Sequence, residues 1–155
     1  MTEAERAYAA GIMDGEGCFT VLRRHERTNK GQAVHRAWYV AAVNVTNTER
    51  AMLEWMQVRW GGSIYGKASL SPRSGLPGKK CWHWSLTAKA LEPFLEDVQP
   101  YLVVKYQQCR LLRMLRAVTY NCGQAQTEQQ HRARAALTAL HERIYLKSQA
   151  LKRAA

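Results

Sequence analysis

Near the start of the chain Ala7, Ala10, Gly11 and Asp14 fall at helical spacing, small until the acid. Thr2 followed by Glu5 fits a capping box, so a helix is expected over 3–14, closed by Gly15 and Gly17. Residues 18–27 alternate as a strand. Phe19 and Val21 face a core, and Thr20, Leu22, Arg24 and Glu26 face the other way. Asn29-Lys30-Gly31-Gln32 reads as a turn. A second strand over 35–46 sends Tyr39, Ala41, Val43 and Val45 inward and Trp38, Val40, Ala42 and Asn44 outward. Thr48 is read as the cap of a helix to about Arg59, with Met52, Leu53 and Met56 on one face, stopped by Gly61-Gly62. Strands follow at 63–69 and 80–86, around a loop by composition at 71–78. Helices are expected at 88–97, at about 102–117 beyond Pro100, and over the last stretch of about 27 residues.

This order makes the fold class α+β: an antiparallel sheet with helices on one face, in the order αββαββα, plus extra C-terminal helices. At 155 residues the chain is the size of one domain, with a core over about 3–117 and a helical extension over about 118–155.

Charge adds a partner. Lys and Arg total 23 and Asp and Glu 12, a net charge of +11. The excess is uneven: Lys67, Arg73, Lys79, Lys80 and Lys89 meet no acid between 61 and 90, and 131–155 carries only Glu142 against its bases. Such a surface suits a polyanion, nucleic acid before others, although a generally basic surface has the same composition. Cys18, Cys81, Cys109 and Cys122 form no CxxC pair, and because three of the four fall in segments that read as regular structure they are read as reduced, packed thiols of an intracellular protein. No zinc site is expected, and the five histidines show no His-Asn-His nuclease pattern. No leader is visible, and the longest apolar stretch, Ala7–Met13, is far below the ~20 residues of a membrane span.

Ala9-Ala10-Gly11-Ile12-Met13-Asp14-Gly15-Glu16-Gly17 carries the chemistry. Its small stripe lets two helix backbones approach closely, and the turn at Gly15 throws Glu16 off the helix end. Two copies packed together would bring two carboxylates to the floor of one groove, where they repel unless cations lie between them. An Ala/Gly-rich helix with a glycine stop is the plainer reading of the same residues. The segment resembles the LAGLIDADG motif of homing endonucleases, departing at its first position and in having Glu for the second acid. The resemblance extends over nearly all of residues 5–120.

That resemblance implies a site-specific double-strand DNA endonuclease that hydrolyses phosphodiester bonds at a long pseudo-palindromic target and leaves 3′ overhangs. With one motif in the chain, it implies a homodimer, with Ala7, Ala10, Gly11 and Asp14 at the interface. Glu16 and the Gly15 carbonyl are the expected ligands of Mg²⁺, for which other divalent cations may substitute. Val45-Thr46-Asn47 resembles a Val-Thr-Gln segment of single-motif members, which places Asn47 beside the catalytic water; by residue type alone it fits a polar helix-leading turn equally well. Gln99-Pro100-Tyr101-Leu102 and Lys105 resemble the family's Gln-Pro-aromatic-Leu and lysine, which makes Lys105 catalytic; by itself it is also an ordinary solvated charge. The sheet's outer face reads DNA in the family, which assigns that work to Thr20, Leu22, Arg24, Glu26, Trp38, Val40, Ala42, Asn44 and Lys67. His25 and His83 fall on strands within reach of that duplex, and Trp82 and Trp84 are open between core and contact. No membrane and no small-molecule cofactor is expected. The alternative from another class is a non-cleaving nucleic-acid binder, such as an intron RNA maturase or a DNA-binding regulator.

Overall fold

Thr2 and Glu5 close the capping box that their spacing predicts. The Thr2 hydroxyl accepts from the Glu5 N–H at 3.3 Å, and the Glu5 carboxylate accepts from the Thr2 N–H at 2.9 Å. This Thr2 N–H, then the Arg59 guanidinium, holds Glu5 at about 2, well below the usual carboxylate range. The helix they start, α1, spans Glu3–Gly15. It belongs to a computed structural model that describes residues 1–27, 33–67, 80–118 and 127–154. The turn expected at 29–32, the loop at 71–78, the end of the third strand at 68–69 and Cys122 lie outside the described residues.

Strands β1 (Gly17–Arg27) and β2 (Ala33–Asn47) follow, then α2 (Arg50–Trp60), β3 (Ser63–Lys67) and β4 (Cys81–Thr87). The four strands form one antiparallel sheet in the order β1-β2-β4-β3. Helices α3 (Leu91–Val98), α4 (Tyr106–Val118) and α5 (Glu128–Ala154) complete the described chain. No described helix is long and apolar enough to cross a membrane.

Strand parity sorts the sheet as the alternation predicts. Phe19, Val21, Tyr39, Ala41, Val43 and Val45 are buried with Trp84 and Leu86, which lie opposite Val45 and Val43. Leu53 and Met56 of α2, Phe94 and Leu95 of α3, and Leu112 and Leu115 of α4 belong to the same core. Each fully buried large side chain contributes roughly 1.5–3 kcal/mol. Trp84 is core: its ring meets Phe94 edge-on at 5.5 Å and its indole N–H donates to the Gly61 carbonyl at 2.9 Å. Trp82 shares this face but is half-buried at the margin, with Arg50 and Lys80 over its ring at 4.5 and 4.6 Å. The C-terminal helix joins the same core through Ile144, and its Glu142 meets both Tyr39 and Arg23.

The structure corrects four local expectations. Thr48 does not cap α2. Glu49 does, accepting from the Ala51 N–H at 3.1 Å, while the Asn47 side-chain oxygen accepts from the Glu49 N–H at 2.8 Å. The helix expected at 88–97 begins as a short 3₁₀ turn over Ala88–Ala90. That expected from 102 begins at Tyr106, after a 3₁₀ turn at Gln99–Tyr101 and an extended Leu102. Finally, the thiols are not all packed: Cys109 is buried, which pushes it up to about 12, but Cys18 is exposed.

Gly17 works by close approach, not by a left-handed turn. A Cβ there would lie 2.6 Å from the Met13 Cα. Gly17→Ala is expected to lower stability by roughly 1–3 kcal/mol, as overpacking does. Gly15→Ala, whose Cβ would meet nothing within 4 Å, should leave the midpoint of chemical denaturation unchanged or slightly raised. Equal midpoints for the two variants would contradict this account.

Candidate active site and nucleic-acid interface

The backbone N–H of Glu16 ends α1 by donating to the Ile12 carbonyl at 2.8 Å. Its side chain is exposed, and no described hydrogen bond or ion pair engages its carboxylate. The last carbonyls of a helix carry the negative end of its dipole. Here they receive a cation. The Lys105 ammonium donates to the carbonyls of Met13 at 2.9 Å and Gly17 at 2.8 Å, with that of Gly15 at 3.5 Å. Lys105 is therefore fixed across the two residues that flank Glu16, and is not a loosely solvated charge.

Asp14 holds the other half of this joint. Its carboxylate accepts from the N–H groups of Val103 at 2.8 Å, Val104 at 3.3 Å and Lys105 at 2.8 Å. These donors lie in the turn before α4, so a residue some ninety positions away holds the chain's entry into that helix. This changes the part expected of Asp14, whose carboxylate is occupied within its own chain.

Ala10 is corrected too. It is fully buried in the chain's own core together with Ala9, Ile12 and Met13, so it has no surface for a second copy. The stripe that α1 leaves exposed is Ala4, Ala7, Tyr8, Gly11 and Gly15. These residues recur at the same helical spacing as the expected set, rotated round the axis. A Cβ on Gly11 would meet nothing within 4 Å. Val103 and Val104, which Asp14 anchors beside α1, are exposed as well.

For a divalent cation the donors brought together are the Glu16 carboxylate and the Gly15 carbonyl. Both are hard oxygens of the kind Mg²⁺ takes. Among the described residues no group of three or more His, Cys, Asp or Glu side chains converges to hold a metal. The described residues thus offer such an ion one exposed carboxylate and the neighbouring carbonyl. Asn47 ends β2 two residues beyond Val45, the partner of Gly17, which puts it at the same end of the sheet. Its side-chain oxygen serves the turn into α2, which favours the structural of its two readings.

The outer sheet face carries most of the expected DNA readers. Arg24 and Trp38 are exposed and directly paired across the strands. Thr20, Leu22, Val40 and Asn44 are half-buried. Ala42 is only 1% exposed, because Thr20 and Thr87 stand on either side of its short side chain. It is corrected from a base contact to a spacer. The backbone of Glu26 lies where the β1–β2 register shifts and that of Lys67 pairs with Cys81, but their side chains lie outside the described residues.

Register adds Thr46, Tyr65, Ser85 and Ser63, which sequence reasoning passed over, to the already named Asn44 and His83. Thr46, His83 and Tyr65 are direct cross-strand partners, as are Asn44, Ser85 and Ser63. All six share the outer face, and Tyr65 is half exposed. The parity of β3 and β4 was the available signal; without the pairing it could not be attached to β2. Lys152 of α5 also reaches this face, donating to the Thr20 hydroxyl at 3.0 Å.

No protein-family model matches the chain, and no curated protein matches it. Solved structures do. The homing endonuclease I-CvuI, in complex with its target in the presence of calcium, superposes with a TM-score of 0.71 at 16% identity, covering 96% of this chain and 82% of that one. The homing endonuclease I-TnaI gives a TM-score of 0.63 at 16% identity over 96% of this chain and 93% of the other. The LAGLIDADG homing endonuclease I-SmaMI, bound to cleaved DNA, gives 0.58 at 15% identity over 95% of this chain and 42% of that one. At these identities the likeness is one of backbone: a motif helix, a four-stranded antiparallel sheet and helices covering one side of it make this the fold of the LAGLIDADG homing endonucleases.

Proposed function

We propose that the chain is a site-specific double-strand DNA endonuclease that works as a homodimer. The observation that carries this reading is the joint at the end of α1, where Lys105 is locked beside Glu16 and the Glu16 carboxylate is left exposed. A carboxylate and a fixed ammonium at the end of a largely polar sheet face, in a chain of net charge +11, suit a reaction on a phosphodiester. The solved structures of similar fold include DNA complexes, which supports the same substrate for this chain.

Two copies meeting along Ala4, Ala7, Tyr8, Gly11 and Gly15 would bring their Glu16 carboxylates together. With the Gly15 carbonyls and DNA phosphate oxygens, these would hold Mg²⁺ or a substitute divalent cation, which supplies a more acidic water and positive charge at the phosphate. Lys105 stabilises charge that builds on the phosphate oxygens, pre-oriented by the three carbonyls it already contacts. Asp14 positions Lys105 through the backbone N–H groups of 103–105. The outer sheet face selects the target, and basic residues on it or reaching it, Arg24 and Lys152 among them, bind phosphates in a salt-sensitive way. Each subunit cuts one strand of a pseudo-palindromic site, leaving 3′ overhangs.

Three outcomes are expected. Glu16→Gln should bind DNA but lose Mg²⁺-dependent cleavage by roughly a hundredfold or more, measured on a supercoiled plasmid carrying the uninterrupted insertion site. Normal cutting by that variant would remove Glu16 from the site, and binding of intron RNA without any DNA cleavage by the parent chain would favour the maturase reading. Gly11→Arg should leave the folded chain intact, since its Cβ points into open space, yet sediment as a monomer and fail to cut. A dimer that persists in this variant contradicts the stripe. Asp14→Ala should cost roughly 1–3 kcal/mol in denaturation, through the three N–H groups it strands, and should lower cleavage even where the protein is folded. Full cleavage by folded Asp14→Ala would show that Lys105 needs no such support.

A further inference from the structure

The outer face holds a small hydrogen-bonded system around His83 that the proposed chemistry does not use. Its Nδ1 is 2.7 Å from the Thr46 hydroxyl, directly opposite on β2. Its Nε2 is 3.2 Å from the side-chain oxygen of Asn44, the next residue on the same face of β2. The ring also leans on Tyr65 of β3, with centroids 4.8 Å apart. Three strands are therefore joined at one imidazole.

A neutral imidazole has one N–H and one lone pair. With the Asn44 oxygen toward Nε2, the proton belongs on Nε2, since a lone pair facing a carbonyl oxygen would repel it. Nδ1 then carries the lone pair, and the Thr46 O–H must donate to it. Each neighbour is thereby set in one sense. The Asn44 amide cannot exchange its ends, and its two N–H groups are turned away from His83. The Thr46 oxygen, having given up its proton, has only lone pairs left to offer.

We infer that His83 is a positioning residue for base recognition, fixing Asn44 as a hydrogen-bond donor and Thr46 as an acceptor toward the major groove. The inference rests on the reading of this face as the DNA interface. Without His83, an asparagine and a threonine can each turn round to donate or accept, so they discriminate poorly. With it, Asn44 seeks a base acceptor, such as purine N7, guanine O6 or thymine O4. Thr46 seeks a base amino group, on adenine N6 or cytosine N4. Specificity at these steps would thus depend on a side chain that itself contacts no base.

Two measurements on the full chain test this separately from the nuclease reading. Ring-nitrogen NMR with isotope-labelled histidine, assigned by the signal lost in His83→Phe, should find the neutral His83 proton on Nε2 in the protein without DNA. A proton on Nδ1 reverses both partners and overturns the inference, whatever the chain does to DNA. The second measurement is selection from a randomised duplex pool. The parent chain should enrich a preferred base at the position whose preference Asn44→Ala removes. His83→Phe should flatten that preference, and the one that Thr46→Ala removes, by about tenfold each, the scale of one well-placed base contact, while the rest of the selected site and the salt-dependent affinity persist. An unchanged preference at either position in folded His83→Phe would overturn the positioning role. Failure of the parent chain to enrich any duplex would instead overturn the reading of this face as a DNA interface, and base recognition by His83 with it, even where the Nε2 proton is found.

Discussion

The structure depends on a reciprocal joint between two segments about ninety residues apart. A helix end presents surplus carbonyls, and the turn before α4 presents three backbone N–H groups to one side chain. Asp14 and Lys105 exchange them: the acid from the end of α1 takes the donors of 103–105, and the lysine from that turn takes the carbonyls of Met13, Gly15 and Gly17. Both contacts are charge-assisted, which makes them stronger than neutral ones. Between them Glu16 is left as the one acidic group of the motif without a partner among the described residues. The same interactions that tie α1 to the start of α4 therefore expose the group assigned to the chemistry.

The sheet divides its labour by face. Its inner face is apolar and closely packed, with Trp84, Phe19 and Phe94 among the largest fully buried side chains. Its outer face is held by hydrogen bonds instead, through His83 with Thr46 and Asn44, and through Lys152 with Thr20. Packing alone would leave polar side chains on a solvated face to rotate, whereas these contacts restrict which atom each one presents. A face that must distinguish donors from acceptors gains from that restriction. The C-terminal helix takes part in both faces, adding Ile144 to the core and Lys152 to the outer surface.

The exposed stripe of α1 gives the proposed dimer its geometry. Small residues allow close backbone approach only where they lie on the outside of the fold, and α1 has small residues on both sides. Ala9 and Ala10 serve the contact with the chain's own core; Ala4, Ala7, Gly11 and Gly15 remain for another copy. In the proposed dimer one helix would have two close-packing faces, and Tyr8 projects between the small residues of the outer one, edge-on to Trp55 at 5.1 Å.

What local chemistry controls was legible in the sequence. The Thr2–Glu5 capping box acts over three residues, the glycine pair at 61–62 stops α2 where its left-handed backbone needs it, and the alternation of Phe19 to Val21 and of Tyr39 to Val45 sorts the strands without reference to anything distant. The motif separated Glu16 from the helix that presents it. Through-space contacts decided the rest. Periodicity cannot say which arc of α1 turns inward, so Ala10 and Ala7 look alike until the core takes one of them. Residue type cannot show that Asp14 caps a turn at 103–105, that Glu49 rather than Thr48 starts α2, or that Thr20 and Thr87 shade Ala42. Above all, the partners of His83 exist only once β4 lies between β2 and β3, because cross-strand register, which no local pattern carries, is what brings them together.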